Sequence, residues 1–100
     1  MKVGLVATTG SATQVVELAA AAEQHGWDGW FTWDGLALPG YESWDAWAVL
    51  AAAAVRTSRV TLGAVVFAPV RRRPWVLAKQ AVTVDHLSGG RLVIPVSICR

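Results

Sequence analysis

Few side chains in this chain combine the residue types and the spacing that chemistry requires. His25 and His86 lie near the expected ends of helices, and Cys99 stands beside the last residue with no neighbours that mark a reactive thiol. No His, Cys or carboxylate residues have the spacing of a metal site, and no glycine-rich phosphate-binding motif is present. The sequence therefore predicts no metal, and it leaves the catalytic residue unknown.

One aromatic ring and one carboxylate are better placed to meet a ligand. Trp33 and Asp34 close a short aromatic run, residues 30–33, that has the pattern of a strand. A tryptophan at the end of a strand can contact a ring system, and an aspartate there can orient a ligand. The alternative for Asp34 is structural, because an aspartate at the start of a loop often bonds its own backbone. Other tryptophans, among them Trp44 and Trp75, are expected to be packing residues of helices and loops.

A cluster of three arginines at residues 71–73 could be interpreted as an anion or nucleic-acid site. Two observations favour a solvated loop instead. Pro74 fits the first turn of a helix, and a positive cluster at a helix start opposes the helix dipole. No aromatic residues interleave with the arginines on a strand, as stacking on a single strand would require. We therefore expect no nucleic-acid partner.

The composition indicates one apolar, weakly charged domain over residues 1–100. Hydrophobic residues make up 54% and charged residues 16%, and the net charge is +2. A chain this short buries only about two-thirds of the surface that its unfolded form exposes, so we expect self-association. No apolar run approaches the roughly 18 residues of a membrane span, and a lone cysteine excludes a disulfide framework. The sequence thus predicts no membrane partner and a cytoplasmic location.

The predicted elements alternate as βαβαβαβ. Strands are expected at residues 3–7, 30–33, 60–67 and 92–96. Ser11 and Gln14 have the spacing of a capping box at the first helix, Ser43 is the expected N-cap of the second, and Pro74 fits the first turn of the third. Right-handed crossovers would make all the strands parallel. Pro95 weakens the last strand, because proline removes a donor from the ladder. The pattern alone leaves two α/β architectures open, a small doubly wound sheet and half of an eight-stranded barrel.

Several motifs at matching positions along the chain resemble one known family. They are Lys-Val-Gly-Leu at residues 2–5, Ala-Glu-Gln-His-Gly-Trp-Asp at 22–28, Trp-Asp at 33–34, Arg-Val-Thr-Leu-Gly at 59–63, Arg-Arg-Arg-Pro-Trp at 71–75 and Asp-His-Leu-Ser-Gly-Gly-Arg-Leu-Val at 85–93. As a set they are similar to the motifs of the luciferase-like flavin-dependent oxidoreductases and monooxygenases. The resemblance implies parallel (β/α) units of a TIM barrel, truncated to about four strands as an N-terminal half-barrel.

The resemblance also implies where a cofactor would bind. Barrel enzymes build their sites at the carboxyl ends of the strands, and the matching positions here are Trp33, Asp34, Ala64 and Val65. The family holds FMN or the deazaflavin coenzyme F420 there. Relatives often carry Asp-His after the second strand, whereas Gly35 follows Asp34 here, so proton transfer at this position is in doubt. Relatives carry a bulge behind the flavin at the third strand end, and plain core strand is the alternative for Ala64 and Val65.

The expected function is that of a flavin-dependent oxidoreductase or monooxygenase acting on a small organic substrate. We expect the truncated chain to have little activity alone. The alternative, from another class, is a non-catalytic half-barrel interaction module that associates through its exposed strand edges. Bound flavin would distinguish the first from the second.

Overall fold

The computed structural model describes residues 1–7, 10–33, 44–65 and 73–95. Strands and helices alternate along it as β1 (Gly4–Val6), α1 (Ala12–Gln24), β2 (Gly29–Thr32), α2 (Ala46–Arg56), β3 (Thr61–Ala64) and α3 (Pro74–Ser88). The three strands form one parallel sheet in the order β1-β2-β3. The predicted alternation and the parallel sheet are therefore confirmed.

The predicted fourth strand is reduced to one bridge in the described part of the chain. Leu92 forms a single parallel bridge with Leu62 of β3. The Leu62 N–H donates to the Arg91 carbonyl at 3.0 Å, and the Val93 N–H donates to the Leu62 carbonyl at 2.9 Å. Pro95 has no N–H with which to extend the ladder. Residues 91–95 lie beside β3 in the predicted order and direction, but this described part of the segment forms no regular strand.

Local capping sets where α1 and α2 begin. At α1 the predicted capping box is present, because Ser11 Oγ accepts from the Gln14 N–H at 3.1 Å and Gln14 Oε1 accepts from the Ser11 N–H at 2.8 Å. The predicted cap of α2, Ser43, lies outside the described residues. Asp45 is the N-cap of this helix, and its carboxylate accepts from the Ala48 N–H at 2.9 Å. Both caps satisfy N–H groups that have no partner within their helix.

The helices pack side by side against one face of the sheet. α1 contacts α2, and α2 contacts α3. Their apolar faces meet Trp30 of β2 and Leu62 of β3, which are fully buried. The helices and the segment before β3 contribute Val15, Ala19, Trp47, Leu50, Ala53, Val60 and Val84 to the same cluster. Helices on one face only are typical of a barrel rather than of a doubly wound sheet.

The opposite face of the sheet carries Phe31 over a set of glycines. A Cβ at Gly4 or Gly29 would lie 2.9 or 2.8 Å from Phe31 Cε2, and one at Gly63 would lie 3.1 Å from Phe31 Cδ1. The aromatic ring therefore lies over glycine positions of all three described strands. Val6 on the same face is 51% exposed, so part of this face is open to solvent.

Arg91 joins three parts of the fold with one side chain. Its Nε donates to the Ser88 carbonyl at 2.6 Å, and its Nη1 donates to Thr57 Oγ1 at 2.9 Å and to the Val60 carbonyl at 2.8 Å. Its Nη2 donates to the carbonyls of Ala54 at 3.1 Å and Thr57 at 3.0 Å. These contacts match the five N–H donors of a guanidinium. They tie the end of α3 to the end of α2 and to the start of β3.

Glu23 links the end of α1 to the segment that precedes β3. Its carboxylate accepts from the N–H groups of Ser58 at 3.0 Å, Arg59 at 2.6 Å and Val60 at 3.1 Å. Burial is the largest single effect and disfavours the charge. The three backbone donors and the charge of Arg59 together outweigh it and hold the pKa of the carboxyl below its usual range.

We expect this carboxyl to make stability fall in acid. Because the pKa of Glu23 is lower in the folded chain, its charge stabilises the fold above the usual glutamate pKa of about 4.3. That stabilisation is lost as the pH falls through the lower, folded-state pKa. Thermal unfolding followed by circular dichroism should therefore show a smaller acid-induced fall in Tm for Glu23→Gln than for the parent chain.

Glu17→Gln is the matched control for this experiment. A hydrogen bond from Arg56 also lowers the pKa of Glu17, but this pair is exposed on the surface. The control should therefore keep most of the parent's acid response. An unchanged acid response in Glu23→Gln would contradict the role assigned to Glu23.

Candidate functional site

The carboxyl ends of the strands lie side by side at one edge of the sheet. The ladder continues one residue beyond β1 and β3, because the Ala7 N–H donates to the Phe31 carbonyl at 2.7 Å and the Val65 N–H donates to the Thr32 carbonyl at 2.9 Å. Trp33 follows directly after Thr32. Two of the predicted site residues, Trp33 and Val65, thus come from adjacent strand ends, at the edge where barrel enzymes build their sites.

Side-chain alternation separates the predicted residues Ala64 and Val65. Ala64 is fully buried in the same cluster as Leu62, so its methyl group faces the helices. Val65 is 49% exposed and Trp33 is half-buried, and alternation places both on the face that carries Phe31. A ligand on this open face would meet the side chains of Val65 and Trp33 but not Ala64, which is 0% exposed. A period of two, counted from Leu62, is the sequence signal that would have shown this.

The fourth predicted residue, Asp34, lies outside the described residues. The sequence analysis missed Trp44, which lies at the same edge. Trp44 was expected to be a packing residue, but it is 38% exposed. Its indole Nε1–H donates to the Gly10 carbonyl at 2.9 Å, across 34 positions of sequence. This bond joins the segment after β1 to the segment before α2, and no local pattern could have indicated it.

A cavity of about 250 Å³ lies at the opposite, N-terminal edge of the sheet. Its lining includes Lys2, Asp28 and Phe31. The Asp28 carboxylate accepts from the Val3 N–H at 2.8 Å, and the Asp28 N–H donates to the Val3 carbonyl at 2.8 Å. Asp28 therefore holds the start of β1 next to the start of β2. Trp33, Ala64 and Val65, the predicted site residues that the structure describes, do not line this cavity.

Residues 1–7, 10–33, 44–65 and 73–95 contain neither a metal-ligand cluster nor a membrane-spanning helix. Within these ranges, no three His, Cys, Asp or Glu side chains gather closely enough to hold a metal ion. The helices of the same ranges are all too short or too polar to cross a membrane. His25 Nδ1 lies 3.0 Å from the Ala21 carbonyl oxygen within its own helix end, so this histidine has a local structural partner.

The architecture defines a class of protein. Helices on one face of a parallel sheet, with open strand ends at one edge, are the features of a partial (β/α) barrel. A family model for the luciferase-like monooxygenases matches residues 1–96. The chain belongs to this family, and the resemblance found in its motifs is confirmed.

Three relatives illustrate the similarity. An F420-dependent glucose-6-phosphate dehydrogenase of Nakamurella multipartita is 36% identical over 88 residues, which are 84% of this chain and 26% of that protein. An F420-dependent secondary alcohol dehydrogenase, solved with an F420–acetone adduct, has a TM-score of 0.85 at 25% identity. The aligned region is 95% of this chain and 31% of the dehydrogenase chain. A monooxygenase of Streptomyces bottropensis has a TM-score of 0.82 at 32% identity, and the aligned region is 96% of this chain and 32% of the monooxygenase chain. The chain thus spans between a quarter and a third of the length of these relatives.

Proposed function

We propose that this chain supplies part of the cofactor site of an oxidoreductase that acts on a small organic substrate through coenzyme F420 or FMN. The observation that supports the proposal is the pair of adjacent strand ends at Trp33 and Val65, which lie on an open sheet face at the edge where barrel enzymes act. Of the two cofactors we propose F420, because two of the relatives are F420-dependent by name.

The described residues at this edge fit one side of a planar ring. Val65 offers an exposed apolar side chain and Trp33 an aromatic one. Ala64 is fully buried as a whole residue and its methyl faces the helix layer, so it offers no surface to a ligand. Phe31 lies over Gly4 and Gly29 at the start of their strands and also reaches Gly63, two residues before Val65.

This part of the chain would bind and orient the cofactor. When bound, F420 or FMN would supply the transfer of hydride or oxygen. Val65 and Trp33 would hold the ring and exclude water from one side of it, and Asp34 would orient the cofactor or the substrate. Because the described strands form only one side of a barrel mouth, we expect the 100-residue chain alone to bind weakly and to turn over little.

A non-catalytic half-barrel module that self-associates is the second candidate. Val6, Val65 and Val93 are 51%, 49% and 40% exposed on the sheet side away from the helices. Parallel sheets are normally covered on both faces, so this apolar surface favours association with a second copy of the chain. For both candidates we propose a cytoplasmic location, in keeping with the single cysteine of the sequence.

One sedimentation experiment tests both candidates. The chain is centrifuged with F420 and, separately, with FMN, and each cofactor is followed by its own visible absorbance. We expect F420 to move with the chain at millimolar cofactor concentration, and absence of co-sedimentation for both cofactors would contradict the oxidoreductase proposal. A rise in the sedimentation coefficient with protein concentration would support self-association, which a stable monomer at micromolar concentration would contradict.

A further inference from the structure

We propose that Trp44 is a positioning residue of the cofactor mouth, a role that rests on the proposed function. The Trp44–Gly10 clasp, the hydrogen bond from the Trp44 indole to the Gly10 carbonyl, joins two segments that follow neighbouring strands. Gly10 lies between β1 and α1, and Trp44 lies between β2 and α2. Trp33 begins the second of these connections, and the clasp fixes the distance between Gly10 and Trp44, the residues that precede the caps of α1 and α2.

The Gly10 end of the clasp is held by the capping box of α1. Gly10 has a φ of 105°, which side chains rarely adopt, and a Cβ there would lie 2.8 Å from Gln14 Oε1. The same Gln14 oxygen accepts from the Ser11 N–H at 2.8 Å, and Ser11 Oγ accepts from the Gln14 N–H at 3.1 Å. The cap therefore fixes the backbone from which the Gly10 carbonyl projects.

The Trp44 end of the clasp is held by the cap of α2. Trp44 directly precedes Asp45, whose side chain accepts from the Ala48 N–H at 2.9 Å and whose carbonyl accepts from the Val49 N–H at 3.1 Å. With a capped helix at each end, this one directional bond ties the start of α1 to the start of α2. Positioning of this kind matters at a reactive site, where small displacements of a bound group reduce the rate strongly.

The exposure of Trp44 indicates a role other than packing. A tryptophan that only filled the core would be buried, as Trp30 is, whereas Trp44 is 38% exposed while its indole N–H is bonded. The ring therefore lies at the surface, with its indole N–H bonded to the Gly10 carbonyl. This arrangement adds an aromatic face to the same edge as Trp33.

Trp44→Phe tests the clasp, because it keeps an aromatic ring and removes the N–H donor. Trp27→Phe is the matched control, since Trp27 is also partly exposed but precedes β2 at the opposite edge. Amide hydrogen exchange of Gln14 and Ala48, the two capping donors, reports the positioning without any cofactor. We expect exchange at these amides to accelerate by about tenfold in Trp44→Phe and the F420 dissociation constant to rise by about tenfold. Both should stay unchanged in Trp27→Phe.

The exchange and binding measurements test different parts of the proposal. Unchanged exchange in Trp44→Phe would overturn the clasp. Faster exchange with an unchanged F420 dissociation constant would overturn its role at the mouth and leave the proposed function intact. If the parent chain binds neither F420 nor FMN, the proposed function is wrong, and so is the role of Trp44 at the mouth. The exchange data are measured without cofactor, so they still show in that case whether the clasp exists.

Discussion

Arg91→Lys should lower the free energy of unfolding by about 3 kcal/mol. The guanidinium donates to the carbonyls of Ala54, Thr57, Val60 and Ser88 and to the hydroxyl of Thr57. A lysine ammonium has only three donors on a flexible stem and cannot reproduce this planar fork. At least two partly buried acceptors would lose their partner, and unsatisfied groups of this kind cost about 1–3 kcal/mol each. Thermal unfolding should show a fall in Tm of roughly 12 °C or more.

Arg56→Lys is the control for this measurement. Arg56 also makes a two-point contact, with the Glu17 carboxylate, but both side chains are about half exposed at 51%. An exposed pair contributes little to stability, so this substitution should change Tm little. Equal losses in the two variants would show that the Arg91 contacts do not hold the ends of α2 and α3 together.

Val65→Trp should abolish or strongly weaken F420 binding, with a dissociation constant at least about tenfold higher. Val65 is 49% exposed at the end of β3, on the face where we place the cofactor. An indole there would occupy the space of the ring on that side. Titration followed by F420 fluorescence would measure the change, and circular dichroism would confirm that the variant is folded.

Val55→Trp is the matched control for Val65→Trp. Val55 is 66% exposed, but it lies near the C-terminal end of α2 on the helix side of the sheet. Both variants gain one exposed tryptophan, so their difference isolates the position. Binding by Val65→Trp as tight as that of the parent would place the cofactor elsewhere.

Features that depend on local sequence were predictable from the sequence. The capping box of Ser11 and Gln14 is a pattern within one helical turn, and Pro74 marks a helix start through its own backbone geometry. The cap of α2 shows the limit of such patterns. Ser43 and Asp45 are both good N-cap residues two positions apart, and Asp45 is the residue that caps.

Features that depend on distant residues were not predictable. The bonds of Arg91 to α2 and to Val60 span 31 to 37 positions, and the Trp44–Gly10 clasp spans 34. No periodicity in the sequence encodes such pairs. The weakness of the fourth strand, by contrast, was indicated by Pro95, and the described residues form one bridge there, at Leu92.

The strand-end positions of Trp33 and Val65 were predictable from the sequence, but the direction of the side chains at the strand ends was not. The family resemblance indicated the strand ends at Trp33, Ala64 and Val65, and the structure brings Trp33 and Val65 to one face. Ala64 faces the opposite way and is fully buried. A large side chain at Ala64 would therefore disrupt the core instead of blocking a ligand, which makes Val65 the better position for a steric test.

Whether the strand ends hold a cofactor is tested most directly by nuclear magnetic resonance titration of the isotope-labelled chain with F420, because weak binding by part of a barrel remains visible in chemical shifts. We predict that the largest shifts fall on the amides of Trp33 and Val65 and on the Trp44 indole, with little change at Lys2 and Asp28 at the opposite edge. Shifts concentrated around Lys2, Asp28 and Phe31, or no shifts at millimolar F420, would contradict a cofactor site at the carboxyl ends of the strands.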